Sequence, residues 1–452
     1  MDNALRQYIE LYRDNRSEID SASAPVLNAR RPDACRMLEL TSLPKPGSED
    51  YEVTDLPAIL SPDYGVNIRR VQLPVNPAES FRCGIPRMTP ALFFMVNDRF
   101  GTTRDSYSAL PEGIEVTGLA EAARRMPEVV EKYYGRLADM ENPLVALSDL
   151  LSQDGLWIRV RAGVKVKTPV QIVNILGGAE KMLAPRRVLI VMEEDSEVSI
   201  LSCDHTAGES DGCLALQTVE IFAGERSCLH YYDMEESAAS TSRLATLWLR
   251  QEAESDVTVG GMTIYNGRTR NEYHTVFAAP DSRLSLVGMG IADDDRVIDV
   301  FSKVCHDSPR CNTDELFKFS VDGRARCGFG GMIRVAEGAE KTEAYQSNRN
   351  LVGSDEARMH SRPQLEIYND DVKCSHGSAT GQLDQMQLFY MRTRGLSEAQ
   401  ARLLLKQAFM ADVIEKVGIP GLSERLTHIV ERRFAGEGAG CHNCASECPS
   451  HL

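Results

Sequence analysis

The sequence lacks the motifs that identify several common enzyme classes. It contains no G-x-x-x-x-G-K-[S/T] phosphate-binding loop, no G-x-S-x-G nucleophile elbow and no H-E-x-x-H metal-binding helix. The glycine-rich run at 328–331 falls short of a dinucleotide-binding motif, and a tight corner between strands is the better interpretation. We therefore expect a chain that does not hydrolyse a nucleotide by itself, so that any ATP its process needs is used by a partner.

Long apolar runs and a positive charge balance are also missing. No run reaches the roughly 18 residues that cross a membrane, and no cationic, then apolar, export signal is visible. The net charge of −16 predicts no general attraction to nucleic acid or to an anionic membrane. Twelve cysteines without an export signal indicate a reducing, cytoplasmic setting, where free thiols or metal ligands are expected in place of disulfides.

The chain divides into four regions by pattern. Residues 1–152 are predicted to be mainly helical, with helical spacing in 4–20, 118–137 and 143–151 and a Pro- and Gly-containing break at 43–47. Residues 153–380 are dominated by short alternating runs typical of half-buried strands. Residues 381–436 are helical again, and residues 437–452 form a flexible cysteine-rich tail.

A degenerate repeat in the second region favours a solenoid of strands. A polar turn precedes a strand start at gaps of 30, 29, 27, 41 and 32 residues, and a large two-sheet sandwich is the alternative. The long gap predicts an insertion around 293–312. An autonomous polysaccharide-cleaving enzyme on such a solenoid is disfavoured, because the export signal is missing and aromatic residues total only 6%. The strand starts are Val198, Cys228, Val257, Leu284, Ala325 and Ala357.

The third region predicts three helices with clear boundaries. Asp384 caps the first, Ser397 and Gln400 form a capping box for the second, and Pro420 opens the third. One ridge of the second helix carries Leu405, Phe409 and Val413 at i,i+4 spacing, with further apolar residues beside it. This ridge is either a local core or a partner-docking surface, and we expect one face of the helix to serve each purpose.

Cys374 and His376 form the first candidate site. They stand two residues apart, so on a strand both side chains lie on the same face. A thiolate and an imidazole together make half a site for a soft or borderline metal, which other residues must complete. The alternative is a packed cysteine beside a hydrogen-bonded histidine in a turn.

The tail holds the second candidate site. Cys441, Cys444 and Cys448 have C-x2-C-x3-C spacing with two histidines nearby, which is a metal-ligand pattern without a choice between zinc and iron. The alternatives are a redox-reactive tail or a fortuitous cluster. A metal or redox carrier acting through this tail is accordingly the alternative function.

The C-terminal third resembles a known family. The stretch 363–377 reads P-Q-L-E-I-Y-N-D-D-V-K-C-S-H-G, followed by G-Q-L-D at 381–384, L-F-Y-M-R-T-R-G at 388–395 and A-R-L-L-L-K-Q-A-F-M-A-D-V-I at 401–414. These motifs, with N-P-L-V-A-L at 142–147 and further matches near the N-terminus, are similar to the SufB/SufD family of iron–sulfur cluster assembly proteins. The resemblance spans nearly the whole chain. It implies a right-handed parallel β-helix flanked by helical regions, against the sandwich alternative.

The resemblance also implies a function and partners. It implies a non-catalytic scaffold of an ATPase-driven complex, which pairs with a SufB-like subunit and docks SufC-like ATPases on the C-terminal helices, with a homodimer as the assembly of the isolated chain. A transient iron–sulfur cluster is expected at the interface, where His376 contributes as a ligand or a proton-handling group. Ser347 replaces the cysteine of the SufB branch, and Gly377 replaces a glutamate of that branch. Both differences favour the SufD branch, whose pattern does not include the cysteine tail.

Overall fold

The chain winds into a parallel β-solenoid in which successive strands alternate between two ten-stranded sheets. The computed structural model describes residues 3–48, 50–71, 77, 90–103, 105–177, 181–207 and 212–436. The parallel solenoid with helices at both ends of the chain confirms the predicted fold class. Among the strands of the described residues, pairing is parallel except at β2–β3 and β4–β5 of the first coils. Sheet one contains β1 (Gly65–Val66), β4 (Ile114–Gly118), β5 (Gly155–Val160), β7 (Met182–Met192), β9 (Cys213–Ala223), β11 (Ser242–Gln251), β13 (Arg268–Phe277), β15 (Val297–His306), β17 (Arg326–Val335) and β19 (Arg358–Ile367). Sheet two contains β2 (Ala91–Val96), β3 (Arg99–Thr102), β6 (Val170–Leu176), β8 (Glu197–Thr206), β10 (Cys228–Glu236), β12 (Asp256–Tyr265), β14 (Arg283–Ala292), β16 (Asn312–Val321), β18 (Glu343–Val352) and β20 (Lys373–Gly381).

The alternating sequence pattern produces a core between the two sheets. In β12, for example, Val257 and Val259 point inward, while their neighbours Asp256 and Thr258 do not join the core. The residues in register with Val257 and Val259 in β10 and β14 are also apolar and point inward, so apolar columns run along the solenoid. Burying each such aliphatic side chain contributes about 1.5–3 kcal/mol, which makes these columns the main source of stability.

The repeat is more regular than the sequence indicated. Strands of sheet two begin at Arg283, Asn312, Glu343 and Lys373, at intervals of 29, 31 and 30 residues. The predicted insertion at 293–312 is wrong, because that segment is β15 with its flanking turns. The first four strand starts of the sequence repeat belong to sheet two, whereas Ala325 and Ala357 stand just before strands of sheet one. The long gap therefore contains one whole coil and about half of the next, and this extra half coil was interpreted as an insertion.

One corner of the solenoid carries a recurring left-handed residue. Six turns from a strand of sheet one to the next strand of sheet two, those after β7, β9, β11, β13, β15 and β17, contain a non-glycine residue with φ between 53° and 66°. Arg226 pairs with Asp195 one coil away at 2.8 Å, and Arg310 pairs with Asp281 at 2.7 Å. This shared geometry explains the polar turns at the first four strand starts of the sequence repeat. The residues are Asp195, Arg226, Glu254, Asp281, Arg310 and Lys341.

The N-terminal region is helical but also contributes strands. The predicted helix over 4–20 is interrupted at Asn15, and that over 118–137 at Met126, while the helix over 143–151 is confirmed. Strands β1–β4 of this region extend the two sheets, so it is part of the solenoid and not a separate helical unit. The helices are α1 (Asn3–Asp14), α2 (Arg16–Ser21), α3 (Pro25–Asn28), α4 (Arg31–Leu40), α5 (Leu56–Leu60), α6 (Leu119–Arg125), α7 (Pro127–Tyr133) and α8 (Pro143–Leu151).

Three C-terminal helices follow the last strand as predicted. They are α9 (Gln385–Thr393), α10 (Glu398–Glu415) and α11 (Pro420–Phe434). The Asp384 cap and the capping box of Ser397 and Gln400 are present, and α11 has proline in its first turn. The inner faces of α10 and α11 form a hydrophobic cluster with the outer face of sheet two. Within the described residues, none of the helices combines the length and apolar composition that a membrane crossing requires.

Candidate functional site

The last coil of the solenoid carries the first candidate site. Among the described residues, β19 pairs only with β17, and β20 pairs only with β18. The inward positions of β20 are occupied by Cys374, His376, Ser378 and Thr380, in register with inward residues of β18. The corresponding β18 residues are buried, whereas His376, Ser378 and Thr380 are exposed because no described strand stacks on them. We call this exposed coil, β19 and β20, the open end.

One inward column of sheet two changes from apolar to polar as it approaches the open end. Leu286, Glu315, Gln346 and His376 are aligned in four successive strands of sheet two. The first three are buried, with 2% exposure or less. An apolar column therefore ends in an acid, an amide and an imidazole. A column that ends in polar side chains is unsuited to a hydrophobic cap and suited to a polar site.

Cys374 and His376 occupy the same face of β20, as predicted, but in different surroundings. Cys374 is half-buried against the core cluster, and burial raises the pKa of its thiol. A nearby cation or metal would therefore be needed to favour the thiolate. His376 is exposed. The described residues contain no group of three or more His, Cys, Asp or Glu side chains placed to hold a metal. The interpretation of Cys374 and His376 as half a metal site stays a prediction.

Two hydrogen-bonded groups lie directly beneath the open end. Gln346 Nε2 donates to Glu315 Oε2 at 2.7 Å, and Ser302 Oγ donates to the same oxygen at 3.0 Å. Burial raises the pKa of Glu315 to about 7, although both hydrogen bonds oppose the shift. Sequence analysis did not select Glu315 or Gln346. The available signal was their placement at inward positions of alternating strands, where a charged side chain is uncommon.

A second set of hydrogen-bonded polar side chains lies beside the first, between β18, β19 and β20. Asn348 Oδ1 accepts from Ser361 Oγ at 2.7 Å and from Asn350 Nδ2 at 2.6 Å. Ser361 Oγ lies 2.7 Å from Ser378 Oγ, which links β19 to β20. Hydrogen bonds thus join inward side chains of β18, β19 and β20 at the open end.

The two residues that separate the branches of the resembled family are neighbours. Ser347 of β18 and Gly377 of β20 are in register on the outer face of sheet two. Ser347 is half-buried, and a Cβ at Gly377 would meet no atom within 4 Å. The structure therefore has space for a larger side chain at 377.

The predicted docking ridge on α10 divides between core and surface. Val413 is fully buried in the cluster that joins α10 to sheet two, so its side chain is not accessible to a partner. Phe409 is partly buried against the same cluster, and Leu405 lines a groove of about 380 Å³ between α9 and α10. The accessible apolar surface lies on neighbouring positions, which we call the helical patch: Met386, Phe389, Tyr390 and Leu404.

The second candidate site, with Cys441, Cys444 and Cys448, lies outside the described residues. Its metal-binding prediction stays a prediction. Of the other cysteines, Cys35, Cys203 and Cys213 are buried thiols, while Cys228 is half-buried.

Comparisons with known proteins agree with this architecture. Residues 174–409 match the family model of the SufBD core domain, described as SUF system FeS cluster assembly, and residues 2–172 match that of the SufBD protein N-terminal region. An iron–sulfur cluster assembly SufBD family protein of Synechocystis is 26% identical over 424 residues, covering 90% of this chain and 91% of the relative. The iron–sulfur cluster assembly protein SufD of Escherichia coli is 27% identical over 299 residues, which cover 64% of this chain and 69% of that protein. The SufD protein of Bacillus subtilis is 27% identical over 332 residues, covering 71% and 74%. Because both family models match this chain, it belongs to the SufBD family of iron–sulfur cluster assembly proteins.

Proposed function

We propose that the chain is a SufD-like, non-catalytic scaffold subunit that pairs through its open end with a SufB-like subunit and docks SufC-like ATPases on its helical patch. The observation that carries this proposal is the open end itself, where two strand edges and a polar interior are exposed together. The two relatives named SufD support the choice of branch.

The strand edges favour a partner of the same architecture. Each strand of the last coil leaves N–H and C=O groups on its outer side available for pairing, and such edges are normally covered. The end of a second solenoid would continue both sheets and satisfy these groups. Ile367 and Tyr368 at this end are 42–58% exposed, and Tyr345 of the adjoining strand β18 is 45% exposed, so all three add apolar area for the contact.

Cys374 and His376 would then lie at the interface as half of a shared site. Iron and sulfide are the cargo of such a site, and thiolate and imidazole both ligate iron. Residues of the SufB-like partner would supply the remaining ligands.

The pairing is tested by co-expression with a SufB-like subunit and a SufC-like ATPase, followed by co-purification. A double variant, Ile367→Asp with Tyr368→Asp, should lose the SufB-like subunit because two charges would be buried at the contact. The control is Leu40→Asp, at a position that is 77% exposed and lies at the end of α4. Full recovery of the SufB-like subunit with the double variant would overturn the pairing.

The role of His376 is tested separately in the assembled complex. His376→Ala should keep both partners but lower the bound iron and sulfide. His360→Ala is a matched control, because His360 is an exposed histidine on the outer face of the same coil. Equal iron and sulfide loading of His376→Ala and His360→Ala would contradict a role for His376.

The helical patch is the proposed ATPase contact. Met386, Phe389 and Tyr390 on α9 are 58–75% exposed, an unusual exposure for three large apolar side chains so close together. Phe389→Asp should remove the ATPase from the purified complex and leave the SufB-like subunit bound. Leu40→Asp again serves as the control. An ATPase that still co-purifies with Phe389→Asp would place the contact elsewhere.

A further inference from the structure

The amide of Gln346 is held in one orientation from below. Its Nε2 donates to Glu315 Oε2 at 2.7 Å, and Ser302 Oγ occupies a second position on that oxygen at 3.0 Å. Reversing the amide would place two oxygens against each other whenever Glu315 is ionised. The NH2 group is therefore assigned to the Glu315 side.

The amide is also confined from the side. A Cβ built at Gly331 of β17 would lie 2.4 Å from Gln346 Nε2 and 2.8 Å from Gln346 Oε1. The amide thus packs against the backbone of the opposite sheet at a position that only glycine leaves open. It has little freedom to rotate, so the direction of its carbonyl oxygen is fixed as well.

This carbonyl oxygen has no hydrogen-bond donor in the described part of the chain. Gln346 is 2% exposed, and its Oε1 is buried and unpaired. Buried amide oxygens are normally paired, so the position calls for a donor. In the same column, the next side chain toward the open end is His376, one strand spacing of about 4.8 Å away.

We propose that Gln346 is a positioning residue for His376. Its Oε1 accepts a hydrogen bond from one ring N–H of the imidazole, with Glu315 anchoring the amide. This bond selects one tautomer and leaves the lone pair of the other ring nitrogen directed away from the solenoid interior. A histidine ligand needs such a fixed tautomer to present its lone pair. The purpose of this hydrogen bond, to present a lone pair to a ligand, rests on the proposed function of His376 at the open end. The geometry of Gln346 and Glu315 does not depend on that function.

The tautomer can be measured in the full-length chain without any cluster or partner. The chain is labelled with ¹⁵N-histidine, and long-range ¹H–¹⁵N spectra are recorded at about pH 8, where an ordinary histidine is neutral. The chain has nine histidines, and His376→Gln identifies the signals of His376 by their loss. The two ring nitrogens of His376 should have the well-separated shifts of a single tautomer.

Gln346→Met removes the acceptor and keeps the length of the side chain. It should change the ratio of the two tautomers of His376 by about fivefold, the equivalent of one ordinary hydrogen bond. Gln217→Met is the matched control, since Gln217 is also a buried inward glutamine with an unpaired Oε1, in a distant coil. The control should leave the His376 signals unchanged.

Unchanged His376 signals in folded Gln346→Met would overturn the inference. If that variant does not fold, Glu315→Leu asks the same question by removing the anchor of the amide, and an unchanged spectrum would again overturn it. The proposed function fails by a different result, namely full iron and sulfide loading of His376→Ala. The two failures are therefore distinguishable.

Discussion

Lys318 of β16 is joined to Asp412 of α10 by an ion pair that connects the solenoid to the C-terminal helices. The Lys318 side chain is 3% exposed, and its Nζ also donates to the carbonyl oxygen of Phe409 at 2.7 Å. Asp412 is half-exposed, so the cost of burial falls mainly on the lysine. Glu315, which precedes Lys318 in the same strand, lies on the inner face of that strand. Strand β16 therefore contacts both α10 and the column beneath the open end.

Removing the acid of this pair should destabilise the chain more than removing the base. Asp412→Asn leaves a buried ammonium without its counter-ion, which we expect to cost on the order of 1–3 kcal/mol. Lys318→Met removes the charge and keeps the apolar volume, so its effect should be smaller. The free energy of unfolding from urea titration measures both. Glu343→Gln, which breaks the exposed pair with Lys373, is the control and should cost less than about 1 kcal/mol. The reverse order of Asp412→Asn and Lys318→Met would show that the pair is not the reason for the buried lysine.

Glu235 predicts a pH dependence of stability. Burial raises the pKa of this carboxyl from 4.5 to about 7, against hydrogen bonds from Ser237 and Thr269. Between these two pKa values the folded state keeps a proton that the unfolded state releases, so the free energy of unfolding falls as pH rises through this window. The total fall is at most about 3 kcal/mol. Glu235→Gln should therefore gain stability relative to the unsubstituted chain between about pH 5 and pH 8.

The control for this pH series is Glu272→Gln. Burial opposes ionisation of Glu272, but Arg270 and His274 lower its pKa to about 2. Its titration therefore lies below the window, and its substitution should not change the slope between about pH 5 and pH 8. Denaturant titrations at four pH values distinguish the two variants. Parallel stability curves for Glu235→Gln and the unsubstituted chain would contradict the raised pKa.

Gly155 should not tolerate a side chain. It lies in β5 opposite Arg187 of β7, and a Cβ there would be 2.0 Å from the carbonyl oxygen of Arg187. The clashing atom belongs to the backbone of a paired strand, which cannot shift without a large cost in free energy. Gly155→Ala should cost about 1–3 kcal/mol or more, measured by thermal or urea unfolding. Gly338→Ala is the control because no atom lies within 4 Å of its Cβ position. Equal stability of the two variants would show that the first coil adjusts more easily than the contacts indicate.

The cysteine tail should be dispensable for assembly. The open end and the helical patch both lie before residue 436, so a chain ending at Gly440 should still recover the SufB-like subunit and the ATPase. If Cys441, Cys444 and Cys448 bind a metal, the zinc or iron content of the isolated chain should fall in this variant. Elemental analysis of purified protein measures it. Loss of both partners on truncation would favour the alternative in which the tail carries the function.

Local sequence was sufficient for the elements whose signals are local. Asp384, Ser397 and Pro420 marked the helix starts correctly, because capping is decided within a few residues. The alternating strands and polar corners indicated a solenoid for the same reason. The insertion at 293–312 was wrong because both sheets use similar strands and turns, so the sequence pattern does not distinguish a half coil from a whole one.

By itself the sequence determined the solenoid class, the C-terminal helices and the place of Cys374 and His376 on one face of a strand. Only the tertiary structure decided that Val413 is core and Phe389 is surface, since a helical ridge does not show which side the sheet will cover. Only it placed Gln346 and Glu315 under His376. These three residues are about 30 positions apart in the chain, and they meet because each coil returns the backbone to the same column.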